Sequence, residues 1–168
     1  MLMRAHFREQ AVATLKAAHT TAGQNVFSPR DWPTWRGEYP LILVHTPRER
    51  KASITRGIPQ FNTTLWLAVS ARVETHSAEA AYADLETLGA QIEAALLTDF
   101  NLISQLQHIA FVDTRIEVNA QSKGHLGEVQ IDFGLEFYEV FDPVTQSPVQ
   151  PIATPLEGID VQHALRPE

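Results

Sequence analysis

The strongest constraint on the fold is a run of alternating residues at positions 61–74. The odd positions hold Phe61, Thr63, Leu65, Leu67, Val69, Ala71 and Val73, whereas the even positions are mainly polar. Successive side chains of a β-strand point to opposite faces, so this run predicts a long strand that covers a core with one face. Trp66 is the exception, because it is a large aromatic residue on the polar face.

Two segments have helical spacing. Phe7, Ala11, Leu15 and Ala18 recur at intervals of four, four and three, which predicts a helix over residues 3–21 that stops before Gly23. A second helix is expected after Ser77, a good N-cap residue. Its apolar stripe consists of Ala81, Leu85, Leu88, Ile92 and Ala95.

The remaining chain supplies shorter strands and their connections. Strands are predicted at residues 25–27, 41–46, 110–119 and 127–138. The predicted connections are a loop at 47–60, a linking turn at 98–107 and the hairpin loop "AQSKGH" at 120–125. The strand at 41–46 is apolar on both faces at its centre, which indicates an inner strand.

These elements predict an α+β fold. The sheet has four or five largely antiparallel strands, and both helices pack on one face, the only apolar surface large enough to bury their stripes. The folded domain is expected to span residues 1–141. Residues 142–168 contain five prolines without a sustained period, which predicts a tail that either wraps around a neighbour or stays loose.

Composition excludes several functional classes. The 168 residues contain no cysteine, so thiolate chemistry and disulfides are impossible. The formal charge of −7 argues against a nucleic-acid-binding protein, which needs a basic face. No apolar run approaches the length of a membrane span, and no signal peptide opens the chain, so neither is expected.

The charge is unevenly distributed along the chain. Residues 1–60 contain nine Lys and Arg against four Asp and Glu, a net +5, whereas residues 61–168 contain four against sixteen, a net −12. One interpretation is a solvated surface without a role. The other is a molecule with one positive and one negative end, which suits head-to-tail contact between copies.

Motifs for catalysis are scarce. None of the seven histidines lies at a metal-binding spacing, and the chain lacks GxSxG, GxGxxG and GxxxxGK[ST] motifs. His45, at the end of a buried strand, is the only histidine in a catalytic-looking place. Glu128, Asp132 and Glu136 share one side of a strand, but residues four apart on a strand are about 13 Å apart, too far to share one small ion. We therefore predict no catalytic residue, metal or cofactor.

Two stretches carry a family resemblance. "NVFSPRDWP" at residues 25–33 and "YPLILVHTPRERK" at residues 39–51 follow an N-terminal helix, and the hairpin "IEVNAQSKGHLGEVQIDFGLEFYEVF" closes the domain. This pattern resembles the phage tail terminator family (minor tail protein U-like, tail-completion proteins) over residues 1–141. The resemblance implies an α+β protomer, usually in six copies, forming a ring on the end of the tail tube that stops its polymerisation and prepares head joining.

This resemblance implies a structural protein of the virion tail, assembled in the host bacterial cytoplasm and not an enzyme. Its expected partners are copies of itself, the tail tube protein and a head-completion or neck protein, with DNA only passing through. The candidate subunit or tube interface residues are Arg48, Arg50, Lys51, Arg56, Trp35, Tyr39 and Trp66. Trp32 and Trp35 have an alternative role in a small core beneath their loop.

The acidic row Glu128, Asp132 and Glu136 would meet a basic neighbour or line a lumen that repels DNA. Two alternatives stay open beside the tail terminator. One is another ring protein of the head–tail neck. The other is a small hydrolase or ligand-binding enzyme that uses His45 with a nearby carboxylate.

Overall fold

A computed structural model describes residues 3–28, 38–121 and 124–142. Trp32, Trp35 and all but the first residue of the predicted proline-rich tail lie outside these residues. The elements in chain order are α1 (Met3–Ala17), β1 (Val26–Phe27), β2 (Leu41–Ser53), β3 (Gln60–Thr75), α2 (Ala78–Leu97), α3 (Phe100–Ile103), β4 (His108–Gln121) and β5 (Gly124–Val140).

The five strands form one mixed sheet in the order β1-β2-β3-β5-β4. β1 pairs with β2 in parallel, and the other three pairs are antiparallel. α1 lies over β1 and β2, whereas α2 lies over β3, β5 and β4 on the same face. The predicted α+β fold is therefore confirmed. No helix of the described residues is long and apolar enough to cross a membrane.

The alternation of β3 builds the core as predicted. Its odd-numbered residues from Thr63 to Val73 are buried, and all but Thr63 belong to the apolar core cluster. The odd-numbered residues of β5 from Val129 to Phe137 join them, because β3 and β5 pair along their whole length. Full burial of an aliphatic side chain contributes roughly 1.5–3 kcal/mol, so this shared face is the main stabilising surface.

Local signals place the start of α2 correctly but not the end of α1. Ser77 caps α2, because its side chain accepts a hydrogen bond of 3.1 Å from the backbone N–H of Ala80. Leu96 completes the buried stripe of α2, while Ala95 is only partly buried. α1 ends at Ala17, short of the predicted residue 21, and His19 then adopts a left-handed φ of 51° in the turn. The predicted turn at 98–107 contains the short helix α3.

The predicted loop at 47–60 is wrong. β2 continues to Ser53, and only residues 54–59 connect it to β3. The pairing with β3 shifts register between His45 and Arg48, which marks a β-bulge at Thr46 and Pro47. A bulge is one of the few places in a sheet that accept proline, so Pro47 interrupts the ladder without ending the strand.

The β4–β5 hairpin is also tighter than predicted. The strands extend to Gln121 and from Gly124, so most of the predicted loop at 120–125 belongs to the sheet. A second bulge lies in β4 between Ile109 and Val112. After this bulge along the chain, Ile116 and Val118 pack against the core on the same face of β4, as the alternation in the sequence predicts.

The space around two glycines shows how closely α2 packs on the sheet. A Cβ added to Gly127 of β5 would lie 2.7 Å from Leu85 Cδ1, whereas one added to Gly89 of α2 would meet Val129 and Ile131 at 3.8 and 3.9 Å, ordinary contact distances.

We expect Gly127→Ala to lower the free energy of unfolding by about 1–3 kcal/mol through overpacking. Gly89→Ala should raise it by about 0.5–1 kcal/mol through helix propensity. Urea unfolding measures both, and a loss of stability in both variants would contradict the packing described.

Candidate assembly surface

Six of the ten predicted interface and acidic-row residues share one surface, the sheet face opposite α1 and α2. We call it the outer face. It consists of the even-numbered residues of β3 and β5, with the residues of β2 and β4 that pair beside them. The sequence predicted a basic loop and a separate acidic strand. The outer face brings together Arg48, Arg50, Trp66, Glu128, Asp132 and Glu136.

The bulge in β2 decides which basic residues reach this face. His45 is opposite Ala68, and after the bulge Arg48 is opposite Trp66. Odd-numbered residues of β2 point outward near His45, and even-numbered residues point outward from Arg48 onward. Arg48 and Arg50 therefore lie on the outer face, whereas regular alternation from His45 would have turned them towards the helices.

An aromatic row crosses the outer face at the level of the bulge. The Arg48 guanidinium carbon lies 4.5 Å from the centroid of the Trp66 ring, within the range of a cation–π interaction. On the other side, the Phe111 ring of β4 is 5.4 Å from Trp66, centroid to centroid, and tilted by 50°. Trp66 and Phe111 are half-buried and Arg48 is exposed. Trp66, the aromatic exception on the predicted polar face, is thus the centre of a cluster with Arg48 and Phe111.

Gly134 makes room for this row. It is the β5 residue opposite Trp66, and a Cβ there would lie only 2.4 Å from Phe111 Cε1. The ring of Phe111 therefore lies directly over the β5 backbone and closes the gap between β3 and β4. A glycine inside a strand signals such a close approach, which is the clue in the sequence that our prediction did not use.

The acidic residues of β5 have polar partners on the outer face. Glu128 Oε2 accepts a hydrogen bond of 2.8 Å from Arg72 Nε, and Asp132 is within 3.2 Å of Gln130 Nε2. Glu136 accepts a weak hydrogen bond of 3.4 Å from the Thr64 hydroxyl, and its carboxylate lies 3.9 Å from His108 Nε2.

Residues of β4 that the sequence analysis did not single out extend the acidic area of β5. Asp113 is directly opposite Asp132, and Glu117 is directly opposite Glu128. Both are exposed on the outer face, whereas the predicted row on β5 is half-buried. Each pair sets two carboxylates side by side across the strands, which is unfavourable in an isolated sheet.

The remaining predicted interface residues lie elsewhere. Lys51 points to the helix side of the sheet, where it forms an ion pair with Glu139 and lies 5.3 Å from the centroid of the Phe141 ring. Arg56 is exposed in the β2–β3 turn. Tyr39 is half-buried beside its cis peptide bond to Pro40, at the start of β2 and away from Arg48. Trp35 lies outside the described residues.

An open hollow of about 530 Å³ lies beside the aromatic row and contains His45. Its lining includes Arg8, Ser70 and Glu128. Burial lowers the pKa of His45 below its usual value, the positive charge of Arg8 lowers this pKa further, and Glu128 partly opposes the shift. Within the described residues, no hydrogen bond joins His45 to Ser70 or Glu128, so a nucleophile–base pair is not assembled there.

Arg8 is held at the rim of the hollow by the end of β1. Its Nε donates to the Ser28 hydroxyl at 2.9 Å and to Glu9 Oε1 at 3.2 Å. The Ser28 hydroxyl in turn donates to Glu9 at 2.6 Å. The hydrogen bond from Ser28 and the charge of Arg8 lower the pKa of the Glu9 carboxyl. This triangle fixes the N-terminal half of α1 beside the end of β1.

Comparisons with known proteins add no identification. No protein-family model matches the chain, and no curated protein matches its sequence. Among the described residues, no group of three His, Asp or Glu side chains is arranged to hold a metal ion.

The Arg48–Trp66 contact can be measured by a double-mutant cycle. We expect Arg48→Met and Trp66→Leu to be coupled by about 0.5–1 kcal/mol in unfolding free energy, the value of a surface cation–π pair. The matched control is Arg50→Met with Trp66→Leu, because Arg50 pairs with Thr64 instead. Equal coupling in the two cycles would contradict a specific contact with Arg48.

The lowered pKa of His45 predicts a pH dependence of stability. The unfolded chain binds a proton at this position more readily than the folded chain, so folding stability should fall as the pH drops through the usual histidine pKa of about 6.5. His45→Gln should lose less stability than the wild type between about pH 7.5 and about pH 5.5. His76→Gln, an exposed control in the β3–α2 turn, should keep the wild-type dependence. Urea unfolding at both pH values provides the test. If His45→Gln loses as much unfolding free energy between the two pH values as the wild type, the prediction is contradicted.

Proposed function

We propose that this protein is a structural component of a phage tail, forming a ring that caps the tail tube, ends its polymerisation and prepares head joining. The resemblance of residues 25–33 and 39–51 to tail terminators suggests this role. The described geometry supports it through the distribution of charge. Copies that meet head to tail in a ring need two unlike, complementary surfaces on each protomer.

The observation that carries the proposal is the order of charge across the sheet. α1 and β2, at one side, contain Arg4, Arg8, Lys16, Arg48, Arg50 and Lys51 against Glu9 and Glu49. At the other side, Arg115 is the one Lys or Arg in the described parts of α2, β4 and β5. The charge split along the chain thus becomes a split in space, since β2 and β4 lie on opposite sides of the central strands.

The outer face contains the charged and aromatic side chains for such a contact. Arg48 and Arg50 are exposed near one side of this face, and Asp113 and Glu117 are exposed near the other. Trp66 and Phe111 lie between them, and aromatic residues are enriched at the centres of protein interfaces. A ring component of the head–tail neck would use the same features, and the two roles differ in whether the ring binds the end of a tail tube.

The hydrolase alternative rests on the hollow beside His45, which also contains Ser70 and Glu128. These are the side chains of a serine–histidine–carboxylate arrangement. Glu128 is engaged by Arg72, and the hydrogen bond that would activate Ser70 is not formed. The assembly role therefore has the stronger support.

Assembly and its dependence on charge test the proposal together. Light scattering coupled to size exclusion should detect a particle of about 113 kDa, six copies of 18.8 kDa, and negative-stain images should show a central hole. The double variant Arg48→Glu, Arg50→Glu should raise the concentration for half-assembly by about tenfold or more, and added salt should act in the same direction.

Lys51→Gln is the matched control, since Lys51 belongs to the same strand but faces the helix side. It should assemble like the wild type, and thermal unfolding should confirm that all three proteins fold. A folded Arg48→Glu, Arg50→Glu protein with unchanged assembly would contradict a role of the outer face. A wild-type protein that stays monomeric at every concentration and on tube ends would contradict the ring.

A further inference from the structure

In the part of the chain that the structure describes, one edge of β2 has no strand partner for most of its length. β1 pairs only with Ile42 and Leu43, and no other described strand lies on that side. From Pro47 to Ser53, every residue except Glu49 is exposed. No strand of the described residues pairs with the backbone N–H and C=O groups along this part of the edge, which is the template that an added strand uses.

The outer edge of β4 likewise has no partner among the described strands. β4 is 14 residues long and has β5 as its one partner among the described residues. Its residues 112–115 are all exposed, including Asp113 and Arg115. Natural edge strands usually carry proline or lysine against unwanted pairing, and residues 108–119 contain neither. After the bulge, residues 112–119 form a regular edge without proline, and such an edge can accept an added strand.

The strand directions allow the two edges to pair with each other. β2 is antiparallel to β3, β3 to β5, and β5 to β4, so β4 runs opposite to β2. When a second copy is placed beside the first in the same orientation, its β2 edge meets the β4 edge of the first copy in an antiparallel arrangement. The outer faces of the two copies then form one continuous surface.

Charge favours a particular register for this contact. Arg50 opposite Glu117 of the next copy forms an attractive cross-strand pair. An antiparallel ladder then sets Arg48 opposite Asn119 and Ala52 opposite Arg115. This register keeps Arg115 away from both arginines of β2, whereas a shift that sets Arg50 opposite Asp113 brings Arg48 opposite Arg115.

We propose that copies of this chain join head to tail by pairing the outer edge of β2 with the outer edge of β4 in the next copy. The partner of each edge is thus a second copy, and the sheet continues across the contact. This inference rests on the proposed ring and specifies how neighbouring protomers are joined. The contact is heterologous, so it closes into a ring when the rotation between neighbours divides a full turn.

The cysteine-free sequence permits a direct test by disulfide cross-linking. The probes are two single variants of the full chain, Ala52→Cys and Arg115→Cys, which keep Arg50 and Glu117. One variant carries a size tag, and the two are mixed under oxidising conditions. Facing residues in an antiparallel ladder are close enough for a disulfide after small adjustments. Asp113→Cys and Glu117→Cys, each mixed with Ala52→Cys, probe registers shifted by two residues.

The expected result is a mixed disulfide between Ala52→Cys and one β4 variant, at least about tenfold more abundant than either self-linked dimer, because the two edges are unlike. Glu86→Cys is the matched control, since Glu86 is exposed on α2 and away from both edges. It should give no specific product with Ala52→Cys. Circular dichroism confirms that every variant is folded.

The outcomes separate this inference from the proposed function. Rings without a mixed disulfide in any of the three registers would overturn edge pairing and leave the ring in place. Mixed disulfides in open chains without rings would support edge pairing and count against ring closure. Abundant self-linked Arg115→Cys or Glu117→Cys would show a symmetric β4–β4 contact and overturn the head-to-tail arrangement. Monomers without any cross-link would overturn both.

Discussion

The described structure depends on the one-sided burial of β3. Its odd-numbered side chains lie under α1 and α2 together with those of β5, so the core is a single layer between helices and sheet. Because side chains alternate along a strand, this burial also fixes which residues face away from the helices. Trp66 and its neighbours are therefore held on the outer face by the same packing that stabilises the fold, and a one-residue slip of β3 would exchange the two faces.

The two bulges give the outer face its chemistry. The bulge in β2 turns Arg48 and Arg50 outward and Lys51 towards the helix side, while the bulge in β4 accompanies the placement of Phe111 over Gly134. An extra residue in one strand shifts every later side chain to the other face. The arginines and the aromatic rings consequently meet at one level of the sheet, although they belong to three different strands.

The charges of the protomer are segregated across the sheet, from β2 at one side to β4 at the other. Basic residues predominate in α1 and β2, and acidic residues predominate in α2, β4 and β5. The outer edges of β2 and β4 lie on opposite sides of the sheet, and no described strand pairs with β4 there or with most of β2. Isolated surface charges contribute little to folding, so their segregation has more consequence for association than for stability. The proposed ring and edge pairing use this polarity in the same direction, since a positive edge of one copy meets a negative edge of the next.

Local spacing alone predicts both long helices, the central strand and the α+β class, from a period near 3.6 in α1 and α2, a period of two in β3 and the Ser77 cap. The sequence also identified Arg48, Trp66 and Glu128 without relating them. The folded sheet was needed to show that β2 continues through Pro47, that Lys51 points away from Arg48 and Arg50, and that Phe111 covers Gly134. These features depend on strand register and on bulges, which are fixed by partners on other strands, such as Thr63 opposite Lys51 and Gly134 opposite Trp66. Local periodicity contains no information about such pairings.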